Sequence, residues 1–424
     1  MYKEGKMILN NSNNISNVKK AVIFAEPTEI DGKYWFPYGN AIYSYDIWGK
    51  KITRGWRFEI SSKEKKRGWR FDSLNPDYLT LFCWSTKIGK TLVLSPYWAK
   101  DIVFYNTLTK EINFFDCEIK GNVSGYRNVV EFSKKLFVLP NNKNNDILVL
   151  QEKDKIKHIK ISDWKNTVEK WECTAGYTVQ GKYLWVTAHY SNQVLKLDME
   201  TEQYEWITIE EDAVGYTGIK TDGEYMWLAE SHTGAIIKYS IYNRTTKRFN
   251  APASLNFNSS EKGYVYLELF DFEKYIITIP ALCDKMTILN KKTDELNVLD
   301  IDFFDSVINS NNNYMHGNFI TSSFGKKIDE NTLWVQRAID GEIAVIDIET
   351  LTYKTFSLGI EYKFINDMYA QRYFYLTNGR WNEKDISLNL FLCYQHCSDN
   401  NKKQIYHSGI GAEIWEELIQ YEPI

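Results

Sequence analysis

The sequence YLWVT at residues 183–187, followed by QVLKLD at residues 193–198, has the clearest structural pattern in the chain. An aromatic and aliphatic run is joined by a short polar loop to a second apolar run that ends in an acidic residue. Aromatic and β-branched residues fit the pleated, half-buried surface of a sheet, so each run predicts a strand. The loop contains Ser191 and Asn192, which are turn formers. The stretch therefore predicts a β-hairpin.

The same pattern recurs along the chain, and a second clear copy is YMWLA at residues 225–229 with AIIKY at residues 235–239. Further copies begin with short strands at residues 34–36, 92–94, 136–138, 276–278, 333–335 and 374–376. The central residues of the eight copies follow one another at a mean spacing of about 49 residues, which is typical of a four-stranded propeller blade.

Four-stranded antiparallel units bury both of their faces only when they stack around an axis. The repeat therefore predicts an all-β fold, a closed β-propeller of four-stranded antiparallel blades. The eight copies favour eight blades, and seven is the alternative because the eighth copy changes character after residue 377. A pair of β-sandwiches is a second alternative, which eight similar units disfavour.

The chain ends predict two further segments. Residues 1–20 form an N-terminal segment in which residues 7–9 (MIL) are a candidate strand for closing the ring, and residues 21–378 form the propeller. Residues 379–424 are predicted to be a C-terminal helical segment packed on the propeller. Ser387 can cap a short helix there, and residues 413–419 (EIWEELI) place apolar side chains on one helical face.

A Gly-Tyr pair leads into four of the blades, at residues 125–126, 176–177, 215–216 and 263–264. Glycine adopts backbone angles that other residues avoid. We therefore expect these glycines to supply an unusual backbone angle where the chain returns from the outer strand to the axis.

Composition and charge exclude several classes of partner. The formal net charge is −4, with both signs interspersed along the chain, so we expect no nucleic-acid partner. Residues 1–17 are polar and no long apolar run follows, which predicts a cytoplasmic protein with no signal peptide and no membrane partner. The six cysteines lack the spacing of a zinc site and are expected to be reduced and mostly buried.

The loops between the second and third strands of a propeller gather at one mouth of the central channel, and here they contain aromatic and charged residues. A concave site with a few convergent polar groups is the default location of a ligand. We therefore predict a binding propeller that holds a peptide, a protein partner or a glycan. Its predicted ligand-binding residues are Trp98, Lys100, Tyr190, Arg337, Asp340, Arg380 and Trp381.

The repeat resembles the YVTN and streptogramin-lyase-like propellers, and residues 184–187 with 194–198 carry the resemblance. Most of residues 20–420 also resemble uncharacterised propellers of low-GC Gram-positive bacteria, through residues 34–37, 95–102 and 410–415. Both resemblances specify the fold much more closely than the chemistry, because one fold hosts many functions.

The lyase resemblance implies an alternative function, a metal-assisted lyase or hydrolase. In that family a histidine of one blade and a Glu-x-His of the next surround a magnesium ion and supply the base for a β-elimination. His189 matches the first histidine, while Glu230 and His232 match the Glu-x-His. Under this alternative the three would be catalytic, Glu230 would hold the magnesium ion, and a neutral imidazole could take the proton. Residues 238–246 contain no acidic residue where the family has a further carboxylate, which favours the binding function.

Overall fold

A computed structural model describes residues 18–20, 23, 26–58, 81–97, 99, 101–117, 125–141, 145–152, 155–161, 174–257, 264–304, 321–338 and 340–361. The predicted eighth copy at 374–376, the N-terminal strand candidate at 7–9 and the helical segment at 379–424 lie outside these residues. Cys83, Cys117 and Cys283 are described, and all three are buried. No helix in the described ranges is long and apolar enough to span a membrane.

The described residues form seven four-stranded antiparallel sheets, and in each sheet the strands lie side by side in chain order. Each sheet is one blade. Blade 1 contains β2 (Thr28–Ile30), β3 (Lys33–Tyr38), β4 (Ala41–Asp46) and β5 (Lys51–Arg57); blade 2 contains β6 (Phe82–Ile88), β7 (Thr91–Pro96), β8 (Asp101–Asn106) and β9 (Ile112–Asp116); blade 3 contains β10 (Tyr126–Phe132), β11 (Lys135–Pro140), β12 (Ile147–Glu152) and β13 (Lys155–Ile159).

The remaining four blades repeat this arrangement. Blade 4 contains β14 (Tyr177–Gln180), β15 (Tyr183–Val186), β16 (Gln193–Asp198) and β17 (Tyr204–Thr208); blade 5 contains β18 (Tyr216–Thr221), β19 (Tyr225–Glu230), β20 (Ile236–Ser240) and β21 (Thr246–Phe249); blade 6 contains β22 (Tyr266–Asp271), β23 (Tyr275–Pro280), β24 (Thr287–Asn290) and β25 (Glu295–Val298); blade 7 contains β26 (Ser322–Lys327), β27 (Thr332–Arg337), β28 (Glu342–Asp347) and β29 (Thr352–Ser357).

The second strands are buried on both faces, which explains why they carry the repeat signal. In β11, β23 and β27 every residue after the first is buried, because each sheet is covered by a neighbour on either side. A strand covered on both faces reads as a continuous apolar run rather than as an alternation. The predicted central residues from 35 to 334 all lie in these second strands.

The first strands lie innermost and contact one another from blade to blade. The Oγ1 of Thr28 in β2 lies 2.7 Å from the Oγ of Ser85 in β6, and Lys220 of β18 forms an ion pair of 2.6 Å with Glu268 of β22. The fourth strands form the outer edge and are more exposed, as the pattern of β25 shows. Exposed, polar edge strands discourage pairing with other chains.

The turns between the third and fourth strands explain why so many third strands end in Asp or Asn. Asp46 Oδ1 accepts hydrogen bonds from the backbone N–H groups of Trp48 and Gly49, at 2.9 and 3.0 Å. Asn106, Asp198, Asn290 and Asp347 cap their turns in the same way. The acceptor replaces a backbone partner at a sharp turn, as short polar side chains commonly do.

The structural role of the glycines in the Gly-Tyr pairs differs from the predicted one. The described glycines with positive φ include Gly39 and Gly181, but not Gly176 or Gly215. At Gly215 a Cβ atom would lie 2.1 Å from the carbonyl oxygen of His189, and at Gly176 it would lie 2.9 Å from the Cα of Gly218. The prediction of an unusual backbone angle was therefore wrong at both positions, because glycine is needed there for close approach between blades.

The described residues form seven blades, so the sequence prediction that favoured eight was wrong. Blades 1 and 7 contact each other directly, since the rings of Tyr34 and Trp334 lie 4.7 Å apart and those of Tyr45 and Phe356 stack at 5.5 Å. The first and last described blades therefore pack against each other as neighbours do, which leaves no place for a further sheet at this contact.

The chain divides into two compact units, and residues 22–358 contain all seven blades. The other unit contains residues 1–21 and 359–424. Its described part is an antiparallel pair formed by β1 (Val18–Lys20) and β30 (Gly359–Glu361). A strand from before the first blade thus pairs with one from after the seventh.

Candidate functional site

Hydrogen bonds between blades define one end of the propeller, which we call the mouth. It consists of the loops between second and third strands and of the residues that lead into each first strand, since antiparallel order places both at the same end. The N–H of Tyr216 donates to the carbonyl of Ala188 at 2.9 Å, and that of Val265 to Ser231 at 2.7 Å. Each such bond joins a loop to the start of the next blade, so the mouth is a connected backbone frame.

His189, one of the predicted catalytic residues, is buried, with 1% of its surface exposed. Its imidazole stacks on the ring of Tyr264, with centroids 4.4 Å apart and planes inclined by 12°. Burial, and after it the positive charges of Arg127 and His232, hold the pKa of His189 well below its ordinary value. The imidazole is therefore neutral at pH 7.

Tyr190 and His232 occupy matching places in adjacent blades, each five residues after the tryptophan of its second strand. Their rings lie 5.5 Å apart, and Tyr190 also meets His189 edge-on at 6.5 Å. Tyr190, His232 and Tyr264 are only partly buried. We refer to His189, Tyr190, His232 and Tyr264 as the ring cluster, which joins loops of blades 4 and 5 to the residue leading into blade 6.

A cationic group lies at the same end of the propeller as the ring cluster. Arg127, the second residue of β10, places its guanidinium carbon 4.7 Å from the centroid of the Trp84 ring in β6. Trp84 meets Tyr97 edge-on at 5.5 Å, and Arg127 Nη1 donates to the carbonyl of Thr174 at 3.0 Å. Arg127 is thus held between blades 2, 3 and 4 and acts electrostatically on His189.

Glu230 takes part in a hydrogen-bond and ion-pair network separate from the ring cluster. It is 1% exposed, and its carboxylate accepts hydrogen bonds from Arg248 and from the hydroxyl of Thr233. Arg248 also pairs with Glu210 at 2.7 Å. Within the described residues no group of three or more His, Cys, Asp or Glu side chains is placed to hold a metal ion. The described residues therefore do not fit a magnesium ion at His189, Glu230 and His232.

Arg337 and Asp340 are brought together, in contact with each other. The guanidinium donates from Nε and Nη2 to the two carboxylate oxygens of Asp340, at 3.0 and 2.7 Å, and from Nη2 to Glu342 at 2.6 Å. Its carbon lies 4.7 Å from the ring of Phe303, in a 3-10 helix at Asp302–Phe304, and it also donates to the Phe303 carbonyl. Arg337 therefore fastens this helix to blade 7.

The other predicted ligand-binding residues, Trp98, Lys100, Arg380 and Trp381, lie outside the described residues. The sequence prediction missed Trp84, Tyr97, Arg127 and Tyr264. Tyr97 lies in a loop that was considered, while the other three lie in, or just before, first strands. Arg127 could have been found from its position directly after the Gly-Tyr pair of blade 3. Residues that lead into a first strand lie at the same end of the propeller as the loops between second and third strands.

Comparisons with known proteins give similarity in structure only. No family model matches the sequence. No curated protein matches it either. A virginiamycin B lyase from Staphylococcus aureus is similar in structure, with a TM-score of 0.54, 14% identity, and coverage of 75% of this chain and 92% of that one. A catalytically inactive form of this lyase with quinupristin gives a TM-score of 0.54 at 13% identity, with coverage of 77% and 94%.

A chain of the mitotic checkpoint complex is similar over 84% of this chain and 96% of that one, with a TM-score of 0.50 and 9% identity. The propeller is therefore shared by an enzyme and by a component of a protein assembly. At identities this low the likeness establishes the fold alone. The residues of the mouth must indicate the function.

Proposed function

We propose that this chain is a binding propeller that holds a peptide, a protein partner or a glycan at the mouth. The ring cluster is the observation that carries the proposal. Three of its four rings are only partly buried, and they come from three successive positions around the propeller. Such an arrangement presents several aromatic side chains to one ligand.

Rigid aromatic side chains suit this role. An aromatic ring offers a large contact area and loses little conformational entropy on binding. The ring cluster is further fixed by the backbone hydrogen bonds between blades and by the close approach of Gly215 to His189. A site ordered before the ligand arrives has less entropy to lose during binding.

The metal-assisted lyase or hydrolase is the second candidate, and one observation favours it. His189 and His232 lie close enough for the charge of His232 to lower the pKa of His189, so one neutral imidazole stands beside a second histidine. Against it, Glu230 would have to leave Arg248 and Thr233 before it could hold a magnesium ion. The geometry therefore supports binding better than catalysis.

The binding function is tested by screening the purified chain on peptide and glycan arrays and measuring the strongest ligand by calorimetry. Tyr264→Ala should weaken that ligand about tenfold or more, as loss of a central aromatic contact does. Tyr242→Ala is the matched control, because Tyr242 is 76% exposed on a hairpin turn at the other end of blade 5.

Tyr264→Ala could also disturb the packing of His189, so Tyr190→Ala is measured beside it, and the thermal midpoint of each variant is recorded. Equal affinity in wild type, Tyr264→Ala and Tyr190→Ala would contradict the proposal. The lyase candidate is tested by titrating magnesium chloride during thermal melting. A rise in midpoint that His232→Ala abolishes would favour it, because a bound ion stabilises the folded state.

A further inference from the structure

We infer that the ligand held at the mouth carries a carboxylate or phosphate group, which Arg127 binds. This inference rests on the proposed function and narrows its ligand class to acids that also present a ring or another flat face. The ring cluster would contact the flat face, and the guanidinium would contact the acid. The argument depends on the donors of Arg127 that the chain leaves unused.

Arg127 has spare hydrogen-bonding capacity. A guanidinium has five N–H donors, and here Nη1 donates to the Thr174 carbonyl at 3.0 Å. Its Nε is buried and has no hydrogen-bond acceptor in the part of the chain that the structure describes. A buried donor without an acceptor is costly, so an acceptor that came within reach of this nitrogen would relieve that cost.

The charge of Arg127 is also uncompensated within the described ranges, where it forms no ion pair with a carboxylate. The contrast with two comparable arginines is clear, since Arg248 pairs with Glu210 and Glu230, and Arg337 pairs with Asp340 and Glu342. Buried or half-buried cations are normally paired. An arginine fork also matches the two oxygens of a carboxylate or phosphate better than a lysine does.

Arg127 is held in place before any ligand binds. Its guanidinium lies over Trp84, and Trp84 is braced by the ring of Tyr97. A cation over an aromatic face retains its outward donors while its position is restricted. The fork is therefore oriented, and little ordering remains to be done on binding.

The neighbouring ring cluster adds the second half of the recognition. The charge of Arg127 lowers the pKa of His189, and His189 is neutral. His189 therefore adds no second positive charge that would attract the acid away from Arg127. The partly buried rings of Tyr190 and Tyr264 contact His189, and that of His232 contacts Tyr190. A ring-bearing acid would thus meet both a fixed cation and aromatic surface.

The test uses three small probes that share one ring system: naphthalene-2-carboxylate, 2-naphthyl phosphate and the neutral naphthalene-2-carboxamide. Calorimetry on the full chain should show at least one acid binding about tenfold or more tightly than the amide, since hydrogen bonds to charged groups are the stronger ones. The stronger of the two acids then tells whether the natural group is a carboxylate or a phosphate.

Arg127→Gln should abolish the preference for acid over amide. Arg244→Gln is the matched control, because it removes the same charge from an exposed turn of blade 5 and should keep the preference. Arg127→Lys keeps the charge without the fork and should give an intermediate preference. Thermal melting of each variant verifies that it is folded.

Equal binding of acid and amide by the wild type, binding of neither acid at millimolar concentration, or an unchanged preference in Arg127→Gln would each overturn the inference. Those results remain separate from a failure of the proposed function. A neutral ligand found on the arrays and weakened by Tyr264→Ala would leave the binding function standing while the acid requirement fell.

Discussion

The imidazole of His189 lies parallel to the ring of Tyr264, with centroids 4.4 Å apart, although the two residues belong to a loop of blade 4 and to the approach to blade 6. The chain between them contributes Gly215, whose missing side chain lets the His189 carbonyl come close. One stacked pair therefore depends on three blades. It also removes a titratable group from water.

Stability should depend on pH through His189. Burial lowers the pKa of His189 in the folded chain, whereas the unfolded chain has the ordinary value of about 6.5. The stabilising contribution is therefore fully present above about pH 6.5 and is lost as pH falls, because the unfolded state takes up a proton first. Urea unfolding at pH 7.5 and 5.5 should show a loss of about 1 kcal/mol in wild type that is smaller in His189→Gln.

His158→Gln is the control for this measurement. His158 lies on the fourth strand of blade 3, 3.3 Å from Asp146, and is more exposed. The smaller loss should be found in His189→Gln and not in this variant. An identical loss in wild type and His189→Gln would contradict the buried, neutral imidazole.

Gly215→Ala should destabilise the chain by roughly 2–4 kcal/mol, because a Cβ placed 2.1 Å from the His189 carbonyl forces two backbones apart. Gly49→Ala is the control: its Cβ would lie 3.6 Å from Asp46, an ordinary contact, and the position is exposed. That change should stay within about 0.5 kcal/mol of wild type. Urea midpoints measure both, and equal midpoints would refute the close-approach explanation.

Asp347→Ala should cost about 1 kcal/mol, since two turn N–H groups, those of Glu349 and Thr350, lose their acceptor. Asp347→Asn retains an oxygen at the same place and should cost less. The thermal midpoints of the two variants provide the comparison. If alanine and asparagine are equally tolerated, the side-chain cap does not explain why third strands end in Asp or Asn.

Arg337→Gln should destabilise the chain by about 2 kcal/mol, because Asp340 and Glu342 lose their shared cation and the 3-10 helix loses its clamp. Arg244→Gln, which alters an exposed arginine, should have little effect. Urea unfolding gives both values. If Arg337→Gln left the stability unchanged, the structural role of Arg337 would be refuted, and its predicted role in ligand binding would be favoured.

The architecture was largely predictable from the sequence because the second strands are covered on both faces. Because both faces are covered, the second strand of every blade is a continuous apolar run, from residues 34–36 to 333–335. Such a run can be recognised in the sequence without knowing which strands it pairs with. The number of blades was harder, since an eighth similar run at residues 374–376 does not reveal whether another sheet fits between Tyr34 and Trp334.

The mouth was only partly predictable, for two reasons. Loop residues such as Tyr190 and His232 are found by counting from the tryptophan of each second strand, and the structure brings them together. Residues that act across blades leave no local pattern, so Arg127 over Trp84 and Tyr264 on His189 were missed. The ion pair between Glu230 and Arg248 is likewise set by tertiary packing and is invisible to a motif.

The capped turns between third and fourth strands have a practical consequence, since strand order places them at the opposite end from the mouth. Their tips include Trp48 and Tyr242, which are 90% and 76% exposed. A cysteine introduced at Tyr242 would give an exposed attachment point on the turn of a β-hairpin. Molecules tethered to a sensor surface through that cysteine would present the mouth to the solution. Ligand binding could then be measured without obstruction by the support.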